Sequence, residues 1–290
     1  MRIGVAFPTT EIGTDPVIIR DFAQAVEDLG YDHLTIIDHV LQAGAPEAAD
    51  WRSYYTIDNM FHEPFVMLGY LAAVTSRIGL ATAILILPQR PTVLVAKQAA
   101  ELDVLCQGRL RLGVGIGWNE LEFHALGQEF RNRGPRMVEQ IALMRQLWTN
   151  ELSSFDGEWH RISESGINPL PIQRPIPVWV GAFAKPAIRR AAQVGDGWFV
   201  NPRLAPGDEA DDLIEIFREA ATKAGRDPTA LGMDTTIHLG DGGSQEWGAV
   251  TEAWKQHGAT HGTVRTMYSG FKTVDEHIDA LRRYRDAVPR

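Results

Sequence analysis

Short apolar segments alternate with amphipathic stretches along almost the whole chain. The apolar segments are four to seven residues long, rich in Val, Ile and Leu, and mostly continuous in apolarity. This pattern is typical of parallel strands that are covered on both faces. The predicted strands are Ile3–Phe7, His33–Ile37, Ile78–Ile84, Arg109–Val114, Pro177–Gly181, Gly197–Val200, Met233–Leu239 and Gly262–Arg265.

The stretches between the strands carry apolar residues at helical spacing. In the stretch 91–106, for example, Val95, Ala99, Leu102 and Leu105 form one stripe. Prolines stand at several predicted helix starts and glycines at several predicted ends. The predicted helices cover 16–29, 64–75, 91–106, 135–149, 185–194, 209–224, 245–257 and 274–287.

Eight strand–helix units in 290 residues predict a single domain, residues 1–290, with the (β/α)8 TIM-barrel architecture. An open doubly wound sheet would allow the same alternation, but no G-x-G-x-x-G motif follows the first strand. Long connections cover 39–62, 115–134 and 150–176. We expect the first two as insertion loops on the catalytic, C-terminal face of the barrel, and we expect the third to follow an extra helical turn.

Composition narrows the function classes. The net charge of −9 disfavours binding to nucleic acid or to acidic membranes. The single cysteine, Cys106, cannot form an internal disulfide. The chain shows no export signal and no apolar run near the ~20 residues of a membrane helix, so we expect a cytoplasmic protein without membrane contact.

Asp38 and His39 directly follow the second predicted strand. A carboxylate and an imidazole at that end of a barrel strand can bind a ligand or exchange a proton with it. The alternative is structural, with Asp38 capping the next segment and His39 packing under a loop.

Three glycines alternate in the segment Gly113–Gly117, which is followed by Trp118 and Asn119. Such glycines let a flat ligand approach the backbone, but they also suit a tight barrel corner, and both interpretations stay open. Other polar side chains near strand ends are Asn201, Arg203 and Arg265. The histidines form no HExxH motif, and we expect no bound metal.

The helix that begins near Pro186 follows Phe183 and Lys185. Its N-terminal amides and the lysine could bind a phosphate. The same is true of every barrel helix, so this feature alone is weak.

In their order and spacing, these segments resemble the luciferase-like monooxygenase superfamily, and within it the oxidoreductases that depend on the deazaflavin coenzyme F420. The resemblance runs from Met1 to about Ala287. The segments that carry it are FAQAVEDLGYDHLTIIDHV, RIGLATAILILPQRPTVLVAKQAAELDVLCQGRLRLGVGIGWNE and PIPVWVGAFAKPAIRRAAQVGDGWF.

The resemblance implies a role for each matching position. His39 would be the catalytic residue that handles a proton beside the cofactor, and Ala83–Ile84 would form a non-prolyl cis peptide bond behind the ring. The implied cofactor-binding residues are Asp38, Ala83, Ile84, Ile116, Gly117, Asn119, Phe183, Ala184, Pro186 and Ala187. The implied substrate pocket comprises Trp51, Trp118, Asn201, Arg203 and Arg265, under a roof formed by the loops 40–62 and 118–133.

Two positions depart from the sugar-phosphate dehydrogenase branch of that family. Trp118 stands where that branch has a proton-accepting glutamate, which disfavours the same substrate chemistry. Phe183 and Ala184 replace paired glycines of the phosphate loop.

The resulting hypothesis is hydride transfer between coenzyme F420 and an unknown small organic substrate, in a homodimer. Lys185, Arg203 and Arg265 would form a basic rim around the acidic tail of the cofactor. The alternatives are an FMN-dependent monooxygenase that uses a partner reductase, and a non-catalytic protein that binds flavin or deazaflavin.

Overall fold

The computed structural model describes residues 1–44, 55–240 and 243–288. Its strands are β1 (Arg2–Ala6), β2 (His33–Ile36), β3 (Gly79–Thr82), β4 (Leu85–Ile86), β5 (Leu110–Gly115), β6 (Ser153–Asp156), β7 (Arg161–Ser165), β8 (Val178–Gly181), β9 (Gly197–Phe199), β10 (Gly232–His238) and β11 (His261–Arg265). Its helices are α1 (Pro16–Asp28), α2 (Pro64–Val74), α3 (Thr92–Leu105), α4 (Glu120–Ala125), α5 (Arg133–Thr149), α6 (Lys185–Val194), α7 (Asp208–Lys223), α8 (Ser244–Gln256) and α9 (Val274–Ala287).

The larger sheet closes on itself. Its strands follow the order β3-β2-β1-β11-β10-β9-β8-β5-β4, and β3 also pairs with β5, through Leu80 with Leu110 and Ala81 with Arg111. All of these pairings are parallel. Because β3 and β4 are two pieces of one interrupted strand, the described residues form eight barrel strands. The predicted (β/α)8 barrel is confirmed.

Local signals set the helix bounds. The carboxylate of Asp15 accepts a hydrogen bond from the amide of Val17 at the start of α1, and Glu63 does the same for Val66 in α2. The glycines predicted as helix stops all have positive φ angles, which suits glycine best; they are Gly30, Gly108, Gly225 and Gly258. None of the helices in the described ranges has the length and apolarity needed to cross a membrane.

A buried ion pair fills the barrel interior near the N-terminal ends of the strands. Arg111 donates to Asp234 at 2.7 Å, and its guanidinium lies 4.4 Å from the ring centroid of Trp179. Burial opposes the ionisation of Asp234, but Arg111 and His33 outweigh it and hold the pKa of Asp234 well below its ordinary value. This packed end leaves the opposite, C-terminal end of the barrel for a ligand.

The connection 150–176 contains structure that the sequence analysis did not predict. It forms an antiparallel hairpin, β6 and β7. His160 at the hairpin turn bonds Glu139 on α5 and Thr92 on α3, which ties the hairpin to the outer helices. The residues of this hairpin are mostly polar and exposed, because the hairpin contributes little to the core. Its strands therefore lack the apolar pattern from which strands are predicted.

Candidate active site

The loops that follow β2, β4 and β5 meet at the C-terminal end of the barrel. Asn119, after β5, donates to the carbonyl oxygen of Leu41, after β2, at 3.4 Å. Trp118 contacts the ring of His39, with 5.6 Å between ring centroids. These contacts confirm that the segments around Asp38 and Gly117 share one face.

The interruption between β3 and β4 lies at the centre of this face. The peptide bond Ala83–Ile84 is cis, at the position that the family resemblance implied. The side chain of Ile84 then lies across two neighbouring strands: a Cβ atom on Gly115 would come within 2.6 Å of it, and a Cβ on Gly181 within 2.8 Å.

Packing around this interruption explains the alternating glycines of β5. A Cβ on Gly113 would lie 1.9 Å from the carbonyl oxygen of Thr82, and one on Gly117 would lie 2.6 Å from Ile86. The glycines therefore make room for the segment that carries the cis bond. This favours the barrel-corner interpretation of the motif, while contact of Gly117 with a cofactor stays a prediction.

His39 is held by a carboxylate that the sequence analysis missed. Its Nδ1 atom lies 3.2 Å and 3.3 Å from the two carboxylate oxygens of Glu122, the third residue of α4. Glu122 also accepts from the backbone amides of Val40 and Leu41. Burial opposes the ionisation of Glu122, but the bonds from His39 and from these amides hold its pKa below the ordinary value.

Aromatic rings enclose the His39 imidazole. Tyr55, Phe61 and Trp118 lie 5.1, 4.9 and 5.6 Å from it, measured between ring centroids. The side chain of His39 is only 8% exposed, whereas Trp118 is 39% exposed. Of the predicted substrate-pocket residues, Trp118 therefore contacts His39. Trp51 lies outside the described residues.

Asp38 faces the protein rather than the mouth of the barrel. It is 3% exposed, and its oxygens accept from the amide of Ile86 and from Arg90, each at 2.9 Å. Arg90 also donates to Glu63 at 2.8 Å. Burial raises the pKa of Asp38, although Arg90 favours its charged form. Asp38 therefore braces β4 beside the cis bond, and its contact with a cofactor stays a prediction.

The start of α6 forms the opposite part of the rim. Phe183, Ala184, Lys185 and Pro186 are exposed, and no side chain caps the helix. The N-terminal amides of α6 and the Lys185 ammonium together present positive charge there. This arrangement suits the implied phosphate site, although no contact of the described residues tests it.

Arg265 ends β11, in register with Ala6 of β1 and His238 of β10. Its guanidinium lies 5.2 Å from the ring centroid of Tyr268, and its buried Nε atom has no hydrogen-bond partner among the described residues. Burial raises the pKa of Tyr268, and the nearby phenol of Tyr55 adds to that rise. The Arg265 side of the mouth therefore adjoins the aromatic rings around His39.

The remaining predicted residues have local roles. Asn201 accepts a hydrogen bond from the amide of Arg203 and so forms a tight turn after β9. Arg203 is exposed on that turn. Ile116 is half-buried and packs against the core, and Ala187 lies in the first turn of α6.

Exposed apolar side chains surround the mouth. They belong to loops that follow different barrel strands, and they would form one apolar surface for a flat ligand. The members among the described residues are Val40, Leu41, Trp118, Phe183 and Tyr268, with exposed fractions from 39% to 57%.

Comparison with known proteins identifies relatives over most of the chain. The family described as luciferase-like monooxygenase matches residues 1–289. An uncharacterised protein of Mycobacterium tuberculosis is 37% identical over 229 residues, which cover 76% of this chain and 77% of that protein. An F420-dependent glucose-6-phosphate dehydrogenase of Nakamurella multipartita is 31% identical over 235 residues, covering 78% of this chain and 63% of that protein.

A solved structure supports the fold. An F420-dependent secondary alcohol dehydrogenase, in complex with an F420–acetone adduct, superposes with a TM-score of 0.82. The superposition covers 100% of this chain and 99% of that one, at 18% sequence identity. At this identity the likeness concerns the fold of the barrel.

Proposed function

The chain belongs to the luciferase-like monooxygenase family, and from that premise we propose that it is an F420-dependent oxidoreductase. In this proposal it transfers a hydride between the deazaflavin and a small organic substrate. Relatives named as F420-dependent dehydrogenases, at 30% and 31% identity, support the choice of cofactor.

The observation that carries the proposal is His39 at the barrel mouth. Among the described residues, the ring of His39 bonds Glu122 through Nδ1, which leaves Nε2 as the nitrogen on its other side. Nε2 is therefore available to a substrate oxygen. The aromatic rings of Tyr55, Phe61 and Trp118 limit the access of water to this nitrogen.

Several features fit a deazaflavin. Its flat ring would bind above Ile84 and against the exposed apolar side chains of the mouth, and its phosphate would bind the start of α6 near Lys185. When bound, the coenzyme supplies a carbon centre that accepts or gives a hydride. The protein contributes orientation, exclusion of water and a proton site at His39.

The substrate class follows from the same groups. His39 can take a proton from a hydroxyl group while the adjacent carbon loses its hydride, and it can return the proton in the reverse reaction. The aromatic neighbours of His39 suit a small apolar substrate. An alcohol and its carbonyl product therefore match this site best.

Titration of the purified protein with F420 and with FMN, followed by fluorescence, tests the proposal. We expect tighter binding of F420, with an affinity that weakens as salt is added, because Lys185, Arg203 and Arg265 attract the acidic tail. Lys185→Ala should weaken F420 binding more than FMN binding. Exposed charges contribute about 0–1 kcal/mol each, so the effect should be a few-fold.

Tighter binding of FMN at both low and high salt would overturn the F420 assignment and favour the FMN-dependent monooxygenase. Binding of F420 without turnover of any alcohol or carbonyl compound would favour the non-catalytic alternative. Arg161→Ala serves as a control for Lys185→Ala, because Arg161 is an exposed cation on β7.

A further inference from the structure

We propose that Glu122 is a positioning residue that keeps a proton on Nδ1 of His39 and thereby makes Nε2 the proton acceptor for the substrate. The inference rests on the proposed function, in which His39 exchanges a proton with the substrate oxygen. It assigns a role to a residue that lies outside the strand-end motifs.

The geometry around Glu122 leaves its carboxylate no freedom to turn. The side chain is fully buried, with 0% exposure. Its Oε1 atom accepts from the amides of Val40 and Leu41 at 2.8 and 3.2 Å, and its Oε2 atom accepts from Gln89 at 3.3 Å. The His39 ring lies within 3.3 Å of both oxygens.

An ionised carboxylate can only accept hydrogen bonds. The nitrogen that faces it must therefore carry a proton, so the neutral imidazole of His39 is protonated at Nδ1 and bare at Nε2. A bare Nε2 at the mouth of the barrel can accept a proton from a substrate hydroxyl. Without Glu122 the two neutral tautomers of His39 would compete.

Other charged and titratable groups near this pair are already engaged. Asp38, the neighbour of His39 in sequence, is paired with Arg90, and Arg90 also bonds Glu63. Gln89 contributes a neutral amide, and Tyr55, Phe61 and Trp118 contribute aromatic rings. Among the residues that the structure describes, Glu122 is thus the acidic group in direct contact with His39.

A second pair in the same chain provides a matched comparison. Glu139 bonds His160 through Nδ1 at 2.7 Å and also accepts from the amides of Glu158 and Trp159. This pair has the same chemistry but holds the β6–β7 hairpin instead of facing the mouth. A variant at Glu139 therefore controls for the loss of a histidine–glutamate pair as such.

The substitution Glu122→Gln tests the inference without changing the shape of the side chain. The amides of Val40 and Leu41 need an acceptor, so the carboxamide oxygen should stay at Oε1 and the NH2 group should take the place of Oε2. The oxygen at Oε1 is already bonded by these two amides, so the group that faces the free side of Nδ1 is the NH2 group. This favours the His39 tautomer in which Nδ1 accepts from the NH2 group and Nε2 carries the proton. Gln89 can turn its amide to accept from it, because its Oε1 atom has no hydrogen-bond partner in the described residues.

The first measurement is the tautomer of His39, read from ring nitrogen shifts in long-range proton–nitrogen NMR spectra of the protein without cofactor. We expect Nδ1–H in the unmodified protein and Nε2–H in Glu122→Gln. The spectrum of Glu139→Gln should change at His160 and leave His39 unaltered. A bare Nδ1 in the unmodified protein, or no change in Glu122→Gln, would overturn the inference.

The second measurement is the pH dependence of turnover with F420 and an alcohol. Glu122→Gln should lower kcat by a factor on the order of 10² or more, because the same change of carboxylate to amide in a catalytic triad lowers kcat by about 10⁴. The pH at which kcat falls on the acid side of the profile should also change in Glu122→Gln. Glu122→Asp should recover part of the rate, and Glu139→Gln should keep all of it. An unchanged pH profile in Glu122→Gln would also count against the inference.

The two proposals can fail separately. If the NMR spectra give the expected tautomers but F420 does not bind, the Glu122–His39 pair stands and the proposed cofactor is wrong. If F420 is reduced but the tautomer does not respond to Glu122→Gln, the oxidoreductase stands and the role of Glu122 is wrong.

Discussion

Gly115 packs directly against Ile84: a Cβ atom on Gly115 would lie 2.6 Å from Cδ1 of Ile84, which is too close for any side chain at position 115. Ile84 follows the cis peptide bond, and Gly115 is the last residue of β5. The contact between them sets the height of the Ile84 side chain at the mouth of the barrel.

Gly115→Ala should therefore displace Ile84. We expect a loss of about 1–3 kcal/mol in the free energy of unfolding, which is typical of an overpacked core. Cofactor affinity should fall in the same variant, because Ile84 is the proposed support of the ring. Urea unfolding and fluorescence titration measure the two effects.

Gly69→Ala in α2 is the matched control. Its Cβ would meet no atom within 4 Å, and alanine is about 1 kcal/mol better than glycine inside a helix. We expect this variant to be as stable as the unmodified protein or more so. Normal stability and cofactor binding in Gly115→Ala would contradict the packing role of Ile84.

Asp38→Asn should destabilise the protein. The substitution removes the negative charge that faces Arg90, whose side chain is only 14% exposed. Breaking a buried ion pair in this way lowers the free energy of unfolding by about 3 kcal/mol or more. Glu63, the second partner of Arg90, should keep the loss near the lower end. The measurement is the urea midpoint at neutral pH.

Asp156→Asn provides the comparison for Asp38→Asn. Asp156 pairs with Arg161, but both side chains are more than 70% exposed, and such pairs contribute about 0–1 kcal/mol. Equal losses in the two variants would mean that the Asp38–Arg90 bond does not brace the barrel mouth.

His39→Gln should lower turnover by a factor on the order of 10² or more, with little change in cofactor affinity. The reason is that glutamine can fill part of the space but cannot accept a proton at neutral pH. His160→Gln, which alters the histidine of the hairpin, should leave turnover unchanged. Full activity of His39→Gln would leave His39 with a structural role alone.

His277 should make stability depend on pH. Burial lowers the pKa of His277 from 6.5 to about 4, although the charge of Glu276 opposes the shift. The imidazole is 0% exposed, and its Nδ1 atom bonds Thr266. The unfolded chain binds a proton below pH 6.5 that the folded chain rejects. Stability from this group is thus complete above pH 6.5 and is lost as the pH falls towards 4.

His277→Asn should flatten this dependence, since asparagine can keep a bond to Thr266 but does not titrate. The check is the free energy of unfolding at several pH values between 4 and 7 for both proteins. His261, whose pKa burial lowers to about 3, adds a slope of the same sign to both. Parallel curves for the two proteins would argue against a buried, neutral His277.

The sequence alone was sufficient for the barrel. Continuous apolar segments such as Pro177–Gly181 indicate strands that are covered on both faces, and glycines such as Gly108 mark the helix ends. The family resemblance located the cis bond at Ala83–Ile84, although periodicity predicted one unbroken strand there. These features depend on residues near one another in sequence, where local patterns act.

Only the tertiary structure identified Glu122. In sequence it stands in Glu120-Leu121-Glu122-Phe123, a short polar helix start that looks exposed, yet its side chain is fully buried. Its partner His39 is 83 residues away, and the two meet only after β2 and β5 enter one barrel. The same holds for Gly115, whose need for glycine comes from Ile84 on a neighbouring strand. Contacts between residues that are far apart in sequence form only when the chain folds and brings its segments together. The spacing of residues within one segment does not predict these contacts.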